Sequence, residues 1–310
     1  DQDPYLVLIL SGDHVYKMDY RQLIRFHQER KADLTIAVME VPWEEAHRFG
    51  VLSLDERGRV VDFEEKPPHP RSNLINMGVY VFDRHVLEEE VEEEALREGT
   101  SFDFGKDIIP RMIGQRKVYG FCFSGYWKDV GTIDAYWEAN MELLGSSPAL
   151  DLYDKRWPIY TYIEDRPPVK LSHRARIKRS LLGSGAIIDG SVEDSVIFSG
   201  VYVSRGAEVR HSIVMSDTLI DEEAVVDRAI LDKRIVVGKR AKIGYGEDLR
   251  PNKKIPDMLK SGLTIVGRNA RIPPEAIVGR NCRIGVDIKE EDFTSLILES
   301  GESIEKAEEG

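Results

Sequence analysis

Four short strings carry side chains suited to chemistry on a phosphorylated substrate. In the first, Leu8-Ile9-Leu10-Ser11-Gly12-Asp13-His14, a glycine precedes an acid at the end of an apolar run. The glycine lets a ligand approach the backbone, and the Asp13 carboxylate is a hard oxygen donor able to hold a divalent metal on phosphate oxygens. The competing reading is that Asp13 caps a turn or the next helix. In the second, Asp62-Phe63-Glu64-Glu65-Lys66-Pro67-Pro68, the proline restricts the preceding residue to extended conformations. Lys66 is therefore expected as a fixed point charge for a sugar phosphate, with Glu65 accepting hydrogen bonds from sugar hydroxyls. As a lone pair, Glu65 and Lys66 would be surface solvation. The third string, Asn76 to Phe82, offers close backbone access at Gly78 and a two-way amide at Asn76. The fourth, Tyr126-Trp127-Lys128-Asp129-Val130-Gly131-Thr132, sets a second carboxylate before a helix start. Asp13 and Asp129 together would supply the pair of acids for Mg²⁺, with water and phosphate completing the octahedron. Trp127 reads equally well as packing, and Lys106, in Phe102 to Asp107, faces either substrate or solvent.

These side chains need a scaffold. Leu6 to Leu10 is a continuous apolar run, Asp19 to about Lys31 an amphipathic helix with Asp19 as N-cap, and Leu34 to Val41 a second strand closed by Pro42. Those lengths describe a βαβ unit, which makes the two strands parallel and sets Asp13 beyond the carboxyl end of the first, where ligands of open α/β sheets bind. Further strands are expected at Val60 to Phe63, Met77 to Phe82 and Val118 to Phe123, and helices near Arg84 to Arg97 and Ile133 to Leu144. The glutamates from Glu88 to Glu94 are interrupted by Val91 and read as a solvated helix face.

Past Pro148 the pattern changes. Pro158, Pro167 and Pro168 break up a basic stretch expected to be a linker over 148–180. From 181 to 300 helical spacing gives way to β-branched patches that repeat every 17 residues: Val196, Ile213 and Ile230; Val192, Val209, Val226 and Ile243; Ala207, Ala224 and Ala241. Six-residue steps return at Val266, Ile272, Val278 and Ile284. Such a coil buries its inward column only when coils stack, which is a parallel β-helix. The competing reading is an antiparallel sandwich with accidental periodicity. Residues 246–261, with Pro251 and Pro256, form an excursion from the coils, and 301–310 is an acidic tail expected to be disordered.

The 310 residues allow about two domains, residues 1–147 being the α/β one. A net charge of −12 repels polyanions, which argues against nucleic-acid binding and requires local cations to draw in an anionic substrate. No apolar run approaches the ~18 residues of a membrane span. Cys122 and Cys282 stand 160 positions apart with no partner at metal-ligand spacing, so neither a disulfide framework nor a zinc site is expected. No secretory signal opens the chain, and a reduced cytoplasmic setting fits.

In this order, SGDHVYKMDY, FGV at Phe49 to Val51, FEEKP, NMGVYVF, DFGKDIIP, YWKDVGTIDAYWEANMELL and RWPIYTY at Arg156 to Tyr162 resemble the bacterial glucose-1-phosphate adenylyltransferases. The resemblance implies a partial Rossmann-like mixed-sheet nucleotidyltransferase domain followed by a left-handed hexapeptide β-helix. It implies Mg²⁺-dependent conversion of ATP and glucose 1-phosphate to ADP-glucose and pyrophosphate for glycogen synthesis, in an allosteric homotetramer. By the same resemblance Asp13 and Asp129 hold the metal and act in catalysis, Lys66 grips the sugar phosphate, Glu65, Asn76 and Gly78 line the glucose pocket, and Trp127 belongs to the substrate site. Other members often carry Ser at the position of Asn76. Such proteins also open with a strand and a glycine-rich GGxGxRL loop for the nucleotide phosphates. That loop is missing here and the chain lacks an initiator Met, so the expectation is an N-terminal truncation with β-edge exposure at Leu6 to Leu10 and little or no ATP-dependent activity. The alternatives are a noncatalytic regulatory subunit, another sugar-1-phosphate nucleotidyltransferase, a hexapeptide acyltransferase using His211 or His173, and an assembly scaffold.

Overall fold

The computed structural model describes residues 5–161 and 164–306. The chain divides into two compact units, Asp1–Trp127 and Lys128–Gly310.

The first unit is built on a mixed six-stranded sheet of β1 (Leu6–Leu10), β3 (Leu34–Glu40), β4 (Gly50–Leu54), β5 (Val60–Glu65), β6 (Leu74–Asp83) and β7 (Val118–Cys122), with a short strand β2 (His14–Tyr16) after the first. The order runs β5-β4-β6-β3-β7, and β1 also pairs with β6. β1 and β3 both lie antiparallel to β6, so they run the same way, as the βαβ reading expects. They are not neighbours, however. The ten-residue β6 inserts between them, because its length lets it pair with β3 along one side and with β4 and β1 in turn along the other. Among the described residues β6 is the only partner of β1, whose side chains stay half-buried, with Leu10 exposed.

Both faces of the sheet are covered, and the period of two along β6 shows it. Met77, Val79 and Val81 pack on one side with Leu23 of α1 (Tyr20–Arg30), while Tyr80 and Phe82 pack on the other with Ile109 and Met112. Asp19 caps α1 as expected, its carboxylate accepting the Arg21 N–H at 3.1 Å. A short α2 (Trp43–Ala46) links β3 to β4. The acidic run lies on α3 (Arg84–Ala95), where it departs from the solvated face expected of it. Glu90 and Glu94 share the inward stripe of Val86 at four-residue steps and are only 3% and 2% exposed. Arg111, in α4 (Ile109–Met112), meets Glu90 at 2.8 Å and also pairs with Glu94, while Arg116 meets the other oxygen of Glu90 at 2.8 Å. The run is thus partly a buried charge network that ties α3 to the segment before β7.

In the second unit α5 (Ile133–Glu142) is followed by a parallel β-solenoid with two seven-stranded faces and one six-stranded face. The 17-residue repeat is its register: Val192 pairs with Val209, Val209 with Val226 and Val226 with Ile243. Ala207, Ala224 and Ala241 are fully buried inside. Small residues are needed where the chain turns inward: a Cβ on Gly190 would lie 2.2 Å from the Ala207 carbonyl oxygen. The stack starts earlier and ends later than expected. Lys170–Leu171 already pairs with Ile187–Ile188 inside the stretch read as linker, since alternate residues there find a ladder to join. Ser303–Ile304 pairs with Arg283–Ile284, and Lys253 and Lys254 hold Glu302 and Glu305, so the tail is ordered at least to Lys306; residues 307–310 lie outside the described residues. No helix of the described residues is long and apolar enough to cross a membrane.

Candidate functional site

The turn from β1 to β2 is folded against β6. The Ser11 N–H donates to the Gly78 carbonyl at 2.9 Å, and the His14 ring bonds the Met77 carbonyl at 2.8 Å. Only glycine fits at position 78. Its φ is +68°, and a Cβ would stand 2.9 Å from His14 Cε1 and 3.0 Å from Ser11 Cβ. Asp13 is thereby carried on a fixed turn with its side chain 60% exposed. It caps no helix; that role belongs to Asp19. The Ser11 hydroxyl donates to its carboxylate at 2.6 Å and holds it below the usual carboxylate range, against slight burial and with help from nearby His14. The result is an ionised, accessible oxygen donor.

Glu65 ends β5 in a cradle. A Cβ on Gly50 or on Gly105 would each fall 2.8 Å from its Oε2, so two glycines from distant strings make room for one carboxylate. Burial pushes this carboxyl up; Lys66 opposes the shift, Asp103 adds to it and Lys106 opposes it. Lys66 reaches to 3.9 Å from Glu65 and is otherwise open to solvent. Its backbone departs from the expected extended form: φ is +47°. The Lys66 N–H still donates to the Phe49 carbonyl at 3.1 Å, continuing the β4–β5 ladder, so the chain reverses toward Pro67 at this residue itself. A left-handed non-glycine residue costs roughly 1 kcal/mol, strain of the sort found where a side chain is aimed.

Asn76, on β6, has its amide already engaged. Its Oδ1 accepts the Gly78 N–H at 2.9 Å and its Nδ2 donates to the Tyr80 hydroxyl at 2.7 Å. Burial pushes the Tyr80 phenol up to about 12, so it stays protonated, and its ring stacks on Phe104 with centroids 6.0 Å apart. Trp127 packs edge-on against His14 and Phe49, at 5.0 and 5.4 Å. Its indole N–H is buried without a hydrogen-bond partner among the described residues. Asp129 belongs to the second unit, where its Oδ1 accepts the Gly131 N–H at 2.7 Å just before Thr132 caps α5.

The first unit therefore folds the turn that carries Asp13 against Gly78 of β6, and groups Glu65 with Lys66. Sequence reasoning missed Gly50, Tyr80 and Asp103 as parts of the Glu65 surroundings. Their only signal was a glycine, a tyrosine or an acid inside the FGV, NMGVYVF and DFGKDIIP strings. Asp103 caps the turn Phe104–Ile108, accepting the Gly105 and Lys106 N–H groups at 2.8 and 2.9 Å. His211 sits at a solenoid corner with its ring nitrogens 3.4 Å from the Asp194 and Asp227 carboxylates.

Residues 1–146 match the nucleotidyl transferase family and residues 167–266 the GlmU-like C-terminal hexapeptide family. The chain is 45% identical to a glucose-1-phosphate adenylyltransferase of Acetivibrio thermocellus over 99% of its length and 72% of the relative. Proteins of the same name from Thermomicrobium roseum and Thermotoga neapolitana are 50% and 46% identical, over 96% and 100% of this chain and 70% and 73% of theirs. The nucleotidyl transferase match corrects the expectation that the N-terminal ATP-binding part is missing. It runs from residue 1 to residue 146, past the Trp127–Lys128 division, so the nucleotidyltransferase domain is present rather than missing.

Proposed function

The chain belongs to the glucose-1-phosphate adenylyltransferase family, and from that premise we propose that it transfers a nucleotidyl group from an ATP-like triphosphate to glucose 1-phosphate. The sugar phosphate oxygen is already anionic and attacks the α-phosphorus without a general base. The new bond joins that oxygen to phosphorus as the bond to the pyrophosphate leaving group breaks. Such a reaction is limited by positioning and by charge repulsion between reactants. Lys66 supplies the point charge for the sugar phosphate, and Glu65 accepts hydrogen bonds from the sugar hydroxyls. Asn76 acts through its neighbours, orienting the Tyr80 hydroxyl and the Gly78 backbone, and Trp127 backs the turn that carries Asp13.

The donor set suits Mg²⁺. Mg²⁺ is commonly held through one or two carboxylates and completed by substrate phosphates. Asp13, exposed and ionised, is of that kind, and Asp129 is proposed as the second carboxylate. When bound, Mg²⁺ would neutralise charge on the triphosphate.

The observation that carries this reading is the Glu65 cradle with Lys66 beside it, a half-buried acceptor and an exposed cation on one strand end. Pyrophosphate release with glucose 1-phosphate and a panel of triphosphates, ATP first, tests it. Lys66→Ala should raise KM for glucose 1-phosphate about 10- to 100-fold, the usual worth of a hydrogen bond to a charged group. Absence of release with every triphosphate, or an unchanged KM in the variant, would overturn the assignment.

A further inference from the structure

The excursion between Ile243 and Thr264 is a built object. Across it the register step grows from 17 residues, Ile213 to Ile230, to 35, Ile230 to Ile265. Two fully buried asparagines pin it. Asn252 donates to the carbonyls of Asn281 and Glu302 and to the Ser303 hydroxyl at 2.9, 3.2 and 3.1 Å, and accepts the N–H groups of Lys254 and Ile255. Asn281 donates to the carbonyls of Leu249 and Arg250, both at 3.0 Å, and accepts the Gly262 N–H at 2.7 Å. A loop that merely bridged two coils would not require a buried amide network, which is costly unless fully satisfied.

The returning end of this loop grips α5. The Ser261 hydroxyl donates to Asp134 in the first turn of the helix, and the Ser261 carbonyl accepts from Arg228 Nη2 at 3.0 Å. The Arg228 guanidinium lies 5.3 Å from the centroid of the Trp137 ring. Trp137 in turn donates its indole N–H to the His211 carbonyl at 2.8 Å. Asp134 and Trp137 are three residues apart and so share one helix face. The cap of α5, Thr132, lies three residues after Asp129, and the Asp129 carboxylate is tied to the Gly131 N–H in the same turn. Asp129 ends the short strand Trp127–Asp129, so what fixes the first two turns of α5 helps to fix where its carboxylate stands.

We propose that the excursion is a clamp, and that Ser261, Arg228 and Trp137 are positioning residues for Asp129. The inference rests on the reading of Asp129 as a metal-binding carboxylate. It gives the solenoid a part in the chemistry: Arg228 joins the loop to the helix by hydrogen bonding to one and stacking on the other. Misplacement of a reacting group by about 1 Å costs on the order of 100-fold in rate, so a loosened helix would be felt in turnover.

The experiment compares the 310-residue protein with Trp137→Leu, Trp137→Phe and Arg228→Lys. Phenylalanine keeps a ring under Arg228 and loses only the donor; lysine keeps the cation and loses the second arm. Three quantities are read: hydrogen exchange of the amides over 130–137, binding of Mn²⁺ in the presence of ATP by electron paramagnetic resonance, and the split between kcat and KM. Trp137→Leu should speed exchange over 130–137 and weaken Mn²⁺ about 10-fold each, and lower kcat similarly, with KM for glucose 1-phosphate within twofold. The phenylalanine and lysine variants should fall between it and the parent. A folded Trp137→Leu protein with unchanged exchange and Mn²⁺ binding would overturn the clamp, as would a KM that worsens in step with kcat. Should the leucine variant fail to fold, unchanged exchange in the two conservative variants overturns it equally. If the parent protein transfers no nucleotidyl group at all, the proposed reaction falls, while exchange and Mn²⁺ binding still decide the clamp.

Discussion

Glu65 is a carboxylate kept where ionisation is disfavoured, and that sets a trade between stability and binding. Burial raises its folded pKa above the ordinary 4.5, so the folded protein binds its proton more tightly than the unfolded chain does. The sign follows: the group costs nothing below the unfolded value, and its cost grows as pH rises through the folded value, then stays constant above it. Glu65→Gln removes that cost while keeping the shape. It should raise Tm by roughly 2 °C at pH 7, lose the advantage below about pH 4, and weaken glucose 1-phosphate binding at neutral pH. Thermal melts at the two pH values with calorimetric titration of the sugar phosphate check this, and a variant less stable than the parent at pH 7 would contradict it. The FEEKP string announces Glu65 and Lys66 because two charged residues meet a proline at a strand end. It does not announce the cradle, since Gly50 and Gly105 reach Glu65 only through tertiary folding. Nor does it announce the left-handed backbone of Lys66, where a ladder hydrogen bond to Phe49 outweighs the local preference set by Pro67. Asn76 reads in sequence as a free amide; the structure spends both of its ends on Gly78 and Tyr80.

At the scale of elements, what was legible is what is local. α1 and its Asp19 cap follow from spacing and residue type over a dozen positions. The place of β6 between β1 and β3 does not, because it depends on which edges remain free once distant strands have formed. α3 shows the same limit. A run of glutamates looks solvated until Arg111 and Arg116, some twenty residues on, are brought beneath its inner stripe. Removing one partner from such a buried set strands the others, which costs far more than the pair was worth. Arg111→Met should therefore lower Tm by roughly 5 °C or more, and Arg116→Met, at the more exposed edge, by less. Differential scanning calorimetry of both variants decides the point: equal small shifts would mean that Glu90 and Glu94 find water when Arg111 is gone.

Over the whole chain, the two units differ in how their order is encoded. The sheet of the first joins segments in the order β5-β4-β6-β3-β7, which no single stretch of sequence states. The solenoid of the second states its order in every coil, because each rung rests only on the rungs before and after, and a 17-residue period is the register itself. That one-dimensional build gives position along the stack an energetic meaning. Val226 is fully buried and paired on both sides, to Val209 and Ile243, whereas Ile304, in the last described strand, pairs among the described residues only with Ile284. Val226→Ala removes two methyl groups from the middle and leaves a cavity shared by two interfaces, a loss of about 2 kcal/mol. Slow amides in coils on both sides of it should exchange faster together. Ile304→Ala deletes more side chain but touches one interface, so faster exchange should be confined to the last coil, with the amides around Val209 and Val226 unmoved. If the terminal substitution speeds exchange through the middle coils as strongly as the central one, the solenoid melts as a single body and nearest-neighbour stacking does not describe its stability.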